Sequence, residues 1–588
     1  MVGGRRHRRL PGGAALALFG LVVVGPGCPR RGARLPPKPD GASVVVAAGE
    51  AAGEAGFQMA PEIEPNDAIA RAQALAPTAE TGAGIVGQLV APPGAKSKDV
   101  DLFRISIPPP AVVVAGPDGA PAPLELQQLR IELRPDAPLA VTLDVLDEQG
   151  KVVITSSGGG AGELQAIPNL AVTPGGPPVL VRVRSGAPGA TTPGTGAGGH
   201  GDSGGTPTSG YRLTARLMPF GTGDEAEPNG KMASANDANL DGDVAGYLGW
   251  RRDEDWFRIS TAGMPEGGVL SVELDALEGV APSVAVYDSA QHKIIEQHGR
   301  KGDRVALRNV RLPPAEATVY VVVSADSGRN SDIRYSLHLK PEEPKADGEI
   351  EPNDDPAHAV PLVDGTVTGT LGPGDADVYR YLAAAPSELS FEVQPPPHVD
   401  VKVDVLREDG TTLMRVDAAK RGAPERLPNL FAAGAVFLRL QAAKGEGNLD
   451  EPYRVTVSSR PIEAGAEHEP NGTAALASPL GTGATGTGLI FPQGDVDFWS
   501  IGATPGSGAG EASESLGVAV RGISGMTLEI RVRPSSGKRE LARFRAGPDV
   551  SAPTRVVRGT EGCCLLEIRE LTGKIANPKD RYSVVVTP

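Results

Sequence analysis

An ordered set of four landmarks recurs four times along this chain, so its fold must accommodate four copies of one unit. The first landmark is an acidic hexapeptide: EIEPND from Glu62, EAEPNG from Glu225, EIEPND from Glu349 and EHEPNG from Glu467. A Gly-x-Leu/Ile step comes next, opening at Gly87, Gly246, Gly369 and Gly488. Then come DVDLFRI from Asp99, DEDWFRI from Asp253, DADVYRY from Asp375 and DVDFWSI from Asp495. Each copy closes on a strand-like run that starts at Tyr211, Tyr335, Tyr453 or Tyr582.

The third hexapeptide residue falls at Glu64, Glu227, Glu351 and Glu469. The first of these intervals is long because of SGAPGATTPGTGAGGHGDSGGTPTSG, Ser185 to Gly210, a Gly/Ser/Thr/Pro insert that cannot bury a core. Without it the unit is about 120 to 140 residues, the length of an independent domain rather than of a short solenoid repeat. Inside each unit the apolar residues alternate, as in LQQLRIEL and VDVKVDVL, and DEQGK and REDGT mark hairpin turns between such runs. PSVAVYDSAQHKII and MTLEIRVRPSSGKREL fill the same place in the second and fourth copies. Only the stretch after each hexapeptide, such as DAIARAQAL, has a short helical look. Abundant Gly (77) and Pro (55) favour short strands over long helices. The expected fold is therefore all-β: four tandem antiparallel β-sandwich domains, jelly-roll-like, joined by short linkers. Their boundaries fall at 61–218, 219–343, 344–459 and 460–588, after a disordered linker over 29–60.

The N-terminus reads as an export signal. MVGGRRHRRL is a basic leader, Ala14 to Val24 is an apolar run too short for a permanent span, and GPGC comes after it. This order resembles a bacterial lipoprotein signal, with Cys28 as the lipidated residue, although Gly25 stands where Leu is usual. The protein is expected outside the cytoplasm, as an outer-membrane or cell-surface lipoprotein, with periplasm or secretion as the alternative. Cys563 and Cys564 are adjacent and, in a strand, point to opposite faces, so they are expected to stay unbonded.

In Glu-x-Glu-Pro-Asn an extended backbone puts both carboxylates on one side, and Asn-Asp or Asn-Gly favours a bend. The acids of Asp-x-Asp share parity with the core-facing residues of the strand they begin. Two such clusters repel if they meet, and a hard cation would neutralise them. The alternative is a set of solvated turn residues, with Asn capping and Glu paired to Lys or Arg. The combined motif resembles the bacterial pre-peptidase C-terminal domain, the family of small β-sandwiches that includes the collagen-binding domains of clostridial collagenases. The resemblance runs from Pro61 to Pro588. It implies structural calcium, held in the first copy by Glu62, Glu64, Asn66, Asp67, Asp99 and Asp101. In the third it implies Glu349, Glu351, Asn353, Asp354, Asp375 and Asp377. The second copy offers Glu225, Glu227, Asn229, Asp253 and Asp255, and the fourth Glu467, Glu469, Asn471, Asp495 and Asp497. Gly230 and Gly472 replace the arm's Asp there, which implies weaker sites.

No catalytic residue is expected. GDSGG at Gly201 to Gly205 matches the nucleophile motif of trypsin-like proteases, but Ser203 sits in the Gly-rich insert without a companion His motif. No His-Glu-x-x-His or Walker loop occurs, and His468, between two glutamates, reads as a surface residue. The net charge of −15 argues against nucleic acid. What remains is a non-catalytic envelope protein that binds an extracellular protein or polysaccharide and touches the membrane through its lipid anchor. A purely structural stalk, or an accessory subunit of a secreted hydrolase, is the alternative. Trp250, beside Arg251 and Arg252, reads as ordinary packing, with a sugar- or protein-facing surface as the alternative, and Trp256 fits a core.

Overall fold

The computed structural model describes residues 56–588, except 79, 90–98, 111–123, 187–208, 314–316, 503–514, 537–538, 558–562 and 588. Strands account for 58% of it and helices for 3%, so the alternating apolar patterns became strands throughout. The signal, Cys28 and Ser203 lie outside the described residues. No described helix is long and apolar enough to cross a membrane.

In the first repeat one layer runs Phe57–Pro61, Gly82–Leu89, Ser209–Pro219, Gln127–Pro135, Gln165–Val172 in spatial order. Its first strand thus begins inside the stretch expected as linker. The facing layer runs Gln73–Leu75, Val100–Ile105, Val179–Ser185, Val141–Leu146, Val152–Ser156. Leu129, Ile131 and Leu133 point inward at alternate positions and are fully buried, as are Phe103 and Ile105 opposite them. The DEQGK turn joins Val141–Leu146 to Val152–Ser156 as a hairpin, with Gly150 at φ 80°. REDGT does the same between Val401–Leu406 and Thr412–Val416, with Gly410 at φ 79°. The short helical stretch is a single 3-10 turn at Ile69–Arg71, Met232–Ser234 and Ala474–Leu476.

The expectation of four separate β-sandwich domains joined by short linkers is overturned. Residues Gly56–Pro588 form one compact unit, a solenoid-like stack of β coils. The third repeat departs further: its strands form a single seven-stranded sheet, because Ala376–Gln394 and Glu425–Ala442 each run through both layers. The repeats stack because the acidic arms, expected to dock only on their own repeats, pair on both sides. Each later arm bridges its own repeat, at Asp224↔Ala245, Gly348↔Thr368 and Ala466↔Thr487. Three residues on, it bridges the repeat before it, at Leu170↔Glu227, Val310↔Glu351 and Leu430↔Glu469. The arm is a shared edge strand, which satisfies an otherwise open sheet edge.

Side chains close the same joints. Trp250, read as ordinarily packed, is buried in the core cluster of the first repeat rather than of its own. His468, expected on the surface, is only 10% exposed, with Nε2 3.2 Å from Glu388 of the third repeat and its ring 6.3 Å from Phe431. Arg329 donates to the Gln165 side chain (2.8 Å) and the Leu164 carbonyl (2.9 Å) across the first joint. Cys564 is buried and disulfide-bonded, against the expectation of an unbonded thiol.

Candidate metal centres

The fold draws three carboxylates of each repeat together. The groups are Glu62, Glu64 and Asp101; Glu225, Glu227 and Asp255; Glu349, Glu351 and Asp377; and Glu467, Glu469 and Asp497. In each group one oxygen per residue lies within 4.8 Å of the others. The arm supplies the two glutamates, and the second Asp of Asp-x-Asp supplies the third from the adjoining strand. All nine carboxylates of the later repeats are buried, whereas Glu64 of the first is exposed.

The donors that reach these groups are neutral and repeat their geometry. The first arm glutamate accepts from the backbone N–H after the Gly-x-Leu glycine: Gln88 to Glu62 (2.8 Å), Tyr247 to Glu225 (3.0 Å), Thr370 to Glu349 (2.6 Å), Leu489 to Glu467 (2.9 Å). The second accepts from the backbone N–H of the arm's own Asn, at 2.8 to 3.0 Å in all four repeats. That Asn donates its amide to the first glutamate at Asn66, Asn229 and Asn471. The Glu–Pro bond within each arm is cis.

The closing tyrosine completes the site from behind. The Tyr211 hydroxyl lies 2.9 Å from a Glu62 oxygen and 2.5 Å from an Asp101 oxygen, Tyr335 donates to Asp255 (2.8 Å) and Tyr453 to Glu349 (2.9 Å). In the fourth repeat Trp499 Nε1 donates to the Tyr582 hydroxyl (2.7 Å). The landmark glycine is required by this packing. A Cβ on Gly87, Gly246, Gly369 or Gly488 would overlap the tyrosine hydroxyl, and in the first three also crowd the arm glutamate.

Burial without a cation raises the pKa values of these carboxyls. Desolvation, then the charges of Asp375 and Glu349, pushes Glu351 up to about 9. Burial and then the Glu469 charge push Glu467 to about 8, and burial takes Glu469 and Glu227 to about 7. Asp101 rises to about 9, with burial the largest cause. Asp255, Asp377 and Asp497 are raised well above the carboxylate range, first by burial and then by neighbouring acids. Fully buried oxygens remain without a hydrogen-bond partner among the described residues. They include Oδ1 of Asn66, Asn229, Asn353 and Asn471, Oδ1 of Asp101 and Asp255, and both carboxylate oxygens of Asp377 and Asp497. An all-oxygen set with unfilled acceptors at its centre fits a hard divalent cation.

The remaining acids expected as ligands lie outside the triads, although the Asp375 charge acts on Glu351 and Asp495 hydrogen-bonds to Glu469. Asp253, Asp375 and Asp495 accept backbone N–H bonds from Gly249 (2.7 Å), Gly372 (2.9 Å) and Phe491 (2.8 Å), tying the loop before the Asp-x-Asp strand. Asp99 accepts from Val100 N–H (3.1 Å). Asp67 and Asp99 line, with Glu62 and Glu64, a cavity of about 590 Å³ that opens beside the first cluster. Asp354 is exposed. Gly230 and Gly472 therefore replace a residue that lies outside the triads.

Sequence reasoning missed the tyrosines, the role of the glycines and a further recurrence. IPNL, LRNV and LPNL end at Leu170, Val310 and Leu430, one motif in each repeat that has a successor. It also assigned Trp256 to a core. Trp256 is half-buried on the outer face of the second repeat, its ring 5.1 Å from Tyr287 and 6.3 Å from Tyr320. The positions that correspond in the first repeat, Leu102, Leu146 and Leu180, are a buried aliphatic cluster, and Val378, Leu406 and Phe437 in the third are a buried apolar one.

No family model matches the chain. No characterised protein matches it in sequence. Among solved structures, a protein from Eubacterium rectale described as secreted covers 40% of this chain and 81% of its own length, at 8% identity and a TM-score of 0.13. A biofilm associated protein BSP domain covers 85% and 99%, at 10% identity and 0.11. A chain from the lipid-containing bacteriophage PM2 covers 59% and 87%, at 11% identity and 0.12. Likenesses with TM-scores this low carry no functional weight.

Proposed function

We propose that this protein is an exported, non-catalytic surface protein whose four repeats are each locked by a calcium ion. The observation that carries this reading is the fourfold convergence of three carboxylates onto one point, with neutral donors around them and buried oxygens unfilled. Calcium takes six to eight oxygens and neutralises charges that would otherwise repel. The resemblance to pre-peptidase C-terminal domains is consistent with it. Calorimetric titration of the mature chain with calcium tests the proposal. Uptake approaching four ions per chain is expected, and no uptake would overturn it.

The binding partner we favour is an extracellular polysaccharide on the second repeat. The support is the half-exposed Trp256, Tyr287 and Tyr320, which stand where the first repeat has buried leucines, and Lys293 Nζ 5.9 Å from the Tyr287 ring. Rigid aromatic rings beside charged groups offer apolar area and a wet rim together. Replacing Trp256 and Tyr320 by Ala should abolish retention on polysaccharide columns without changing calcium uptake. Retention of a protein ligand in place of every polysaccharide tried would move the assignment to a protein partner. Anchoring through Cys28 is part of the same reading, and Cys28→Ala should release the protein from membranes.

A further inference from the structure

The strands that receive an arm share a device that the last repeat lacks. In the first repeat Leu129 faces Leu170 and Ile131 faces Ile167, so Pro168 and Asn169 together oppose Arg130 in a β-bulge. The same bulge sets Arg308 and Asn309 against Ser271, and Pro428 and Asn429 against Ser390. The fourth repeat receives no arm among the described residues, and its corresponding pair, Ser515–Arg521 with Ser551–Val557, runs in unbroken register. The bulge is thus a feature of joints and not of the repeat itself.

At two joints the bulge Asn enters the next repeat's acidic cluster. Asn169 Nδ2 donates to Glu225 Oε2 at 2.5 Å, and Asn429 Nδ2 donates to Glu467 Oε1 at 2.9 Å. Both asparagines are 1% exposed, and the Oδ1 of each is buried without a partner. Their backbone carbonyls accept the Glu227 and Glu469 N–H bonds at 3.1 and 2.8 Å, so one residue grips both arm glutamates. The middle joint differs. Asn309 keeps the backbone bond to Glu351 (3.0 Å), but Glu349 takes its side-chain bond from Thr370 of its own repeat (2.9 Å). That joint is held instead by Arg304 with Asp450, by Arg300 to the Gly445 carbonyl (2.7 Å) and by Gln297 to the Pro373 carbonyl (2.8 Å).

We infer that the metal centres of the second and fourth repeats are completed by the repeat before them, with Asn169 and Asn429 as positioning residues for the first arm glutamate. Partners that orient a ligand from outside the coordination sphere typically change metal affinity 10- to 100-fold. Ion binding and joint closure are then linked, each favouring the other by the same factor. The array becomes two metal-fastened pairs, first with second and third with fourth, meeting at a middle joint that does not respond to the ion. This inference rests on the calcium reading and extends it to which joints the ion controls.

The test uses the full chain, with Asn169→Ala, Asn429→Ala and Asn309→Ala compared by calcium titration and by hydrogen exchange with calcium or chelator. In the wild type, calcium should slow exchange in 165–172 and 425–432 and leave 305–311 unchanged. Asn169→Ala and Asn429→Ala should each weaken one site roughly tenfold or more and abolish the slowing at their own joint. Asn309→Ala should do neither. Unchanged exchange in 516–520 confirms that a variant is folded, and Asn429→Ser, too short to reach Glu467, replaces Asn429→Ala if that chain does not fold. Wild-type calcium uptake with unchanged affinity and exchange in the Asn169 and Asn429 variants would overturn this inference and leave the calcium reading standing. So would an equal effect of Asn309→Ala. A wild type that takes up no calcium would overturn both.

Discussion

The metal-free protein should become less stable as pH rises from 5.5 to 7.5, the reverse of ordinary carboxylate behaviour. The fourth repeat gives the magnitude. Glu467 is pushed up to about 8 by burial and the Glu469 charge, against 4.5 when unfolded. A carboxyl whose folded pKa is raised holds its proton in the native state while the unfolded chain has lost it. Its stabilising effect is complete below the unfolded value and disappears as pH climbs through the folded one. Over these two pH units Glu467 alone removes about 2.5 kcal/mol, at about 1.4 kcal/mol per unit less the fraction already ionised near pH 7.5. Burial is nearly complete, so solvent screening does not reduce this much. Trp499 is the reporter: it is fully buried and bonded to the closing Tyr582. The chain has three tryptophans, so Trp250→Phe with Trp256→Phe leaves Trp499 as the sole indole. Urea unfolding monitored by its fluorescence, in chelator, should show a lower midpoint at pH 7.5 than at pH 5.5. Saturating calcium should remove or invert that order, because ligating carboxylates must be ionised. A midpoint in chelator that is equal or higher at pH 7.5 would refute the reasoning.

Gly369→Ala places a Cβ against the Tyr453 hydroxyl and Glu349; overpacking of this kind costs about 1–3 kcal/mol and should also weaken calcium binding, read by denaturant midpoint and titration. Tyr582→Phe leaves the Trp499 indole N–H buried without its acceptor, which should cost about 1–3 kcal/mol and shift the Trp499 emission. Asp404 is buried and held below the usual carboxylate range, Arg415 and Arg439 outweighing its desolvation. Asp404→Ala should therefore destabilise the chain by about 3 kcal/mol in urea at pH 7, and by less below pH 3.

The fourfold repeat, the all-β character and the hairpins at DEQGK and REDGT were legible along the chain. Each depends on neighbours in sequence: period-2 burial sets the strands, and Gly at positive φ sets the turns. The second Asp of Asp-x-Asp was legible as a partner of the arm too, since parity puts that residue on the core side of its strand. Whether the repeats stand apart was decided in three dimensions. An arm such as Glu467 to Gly472 reads as an extended segment of its own repeat because Pro and Asn-Gly disfavour helix, yet the same extended backbone can fill a sheet edge on either side. Local pattern cannot tell solvent from a neighbouring edge, so the joints, the packing of Trp250 into the preceding repeat, the burial of His468 and the single sheet of the third repeat went unread. The closing tyrosine and the Gly-x-Leu glycine were visible as landmarks, but their meeting at the acids joins residues more than 80 apart, such as Gly369 and Tyr453. Asn169 and Asn429 reach acids of another repeat because a bulge turns their side chains across the joint. A bulge is a property of strand register, and register is set by the pairing of strands distant in sequence.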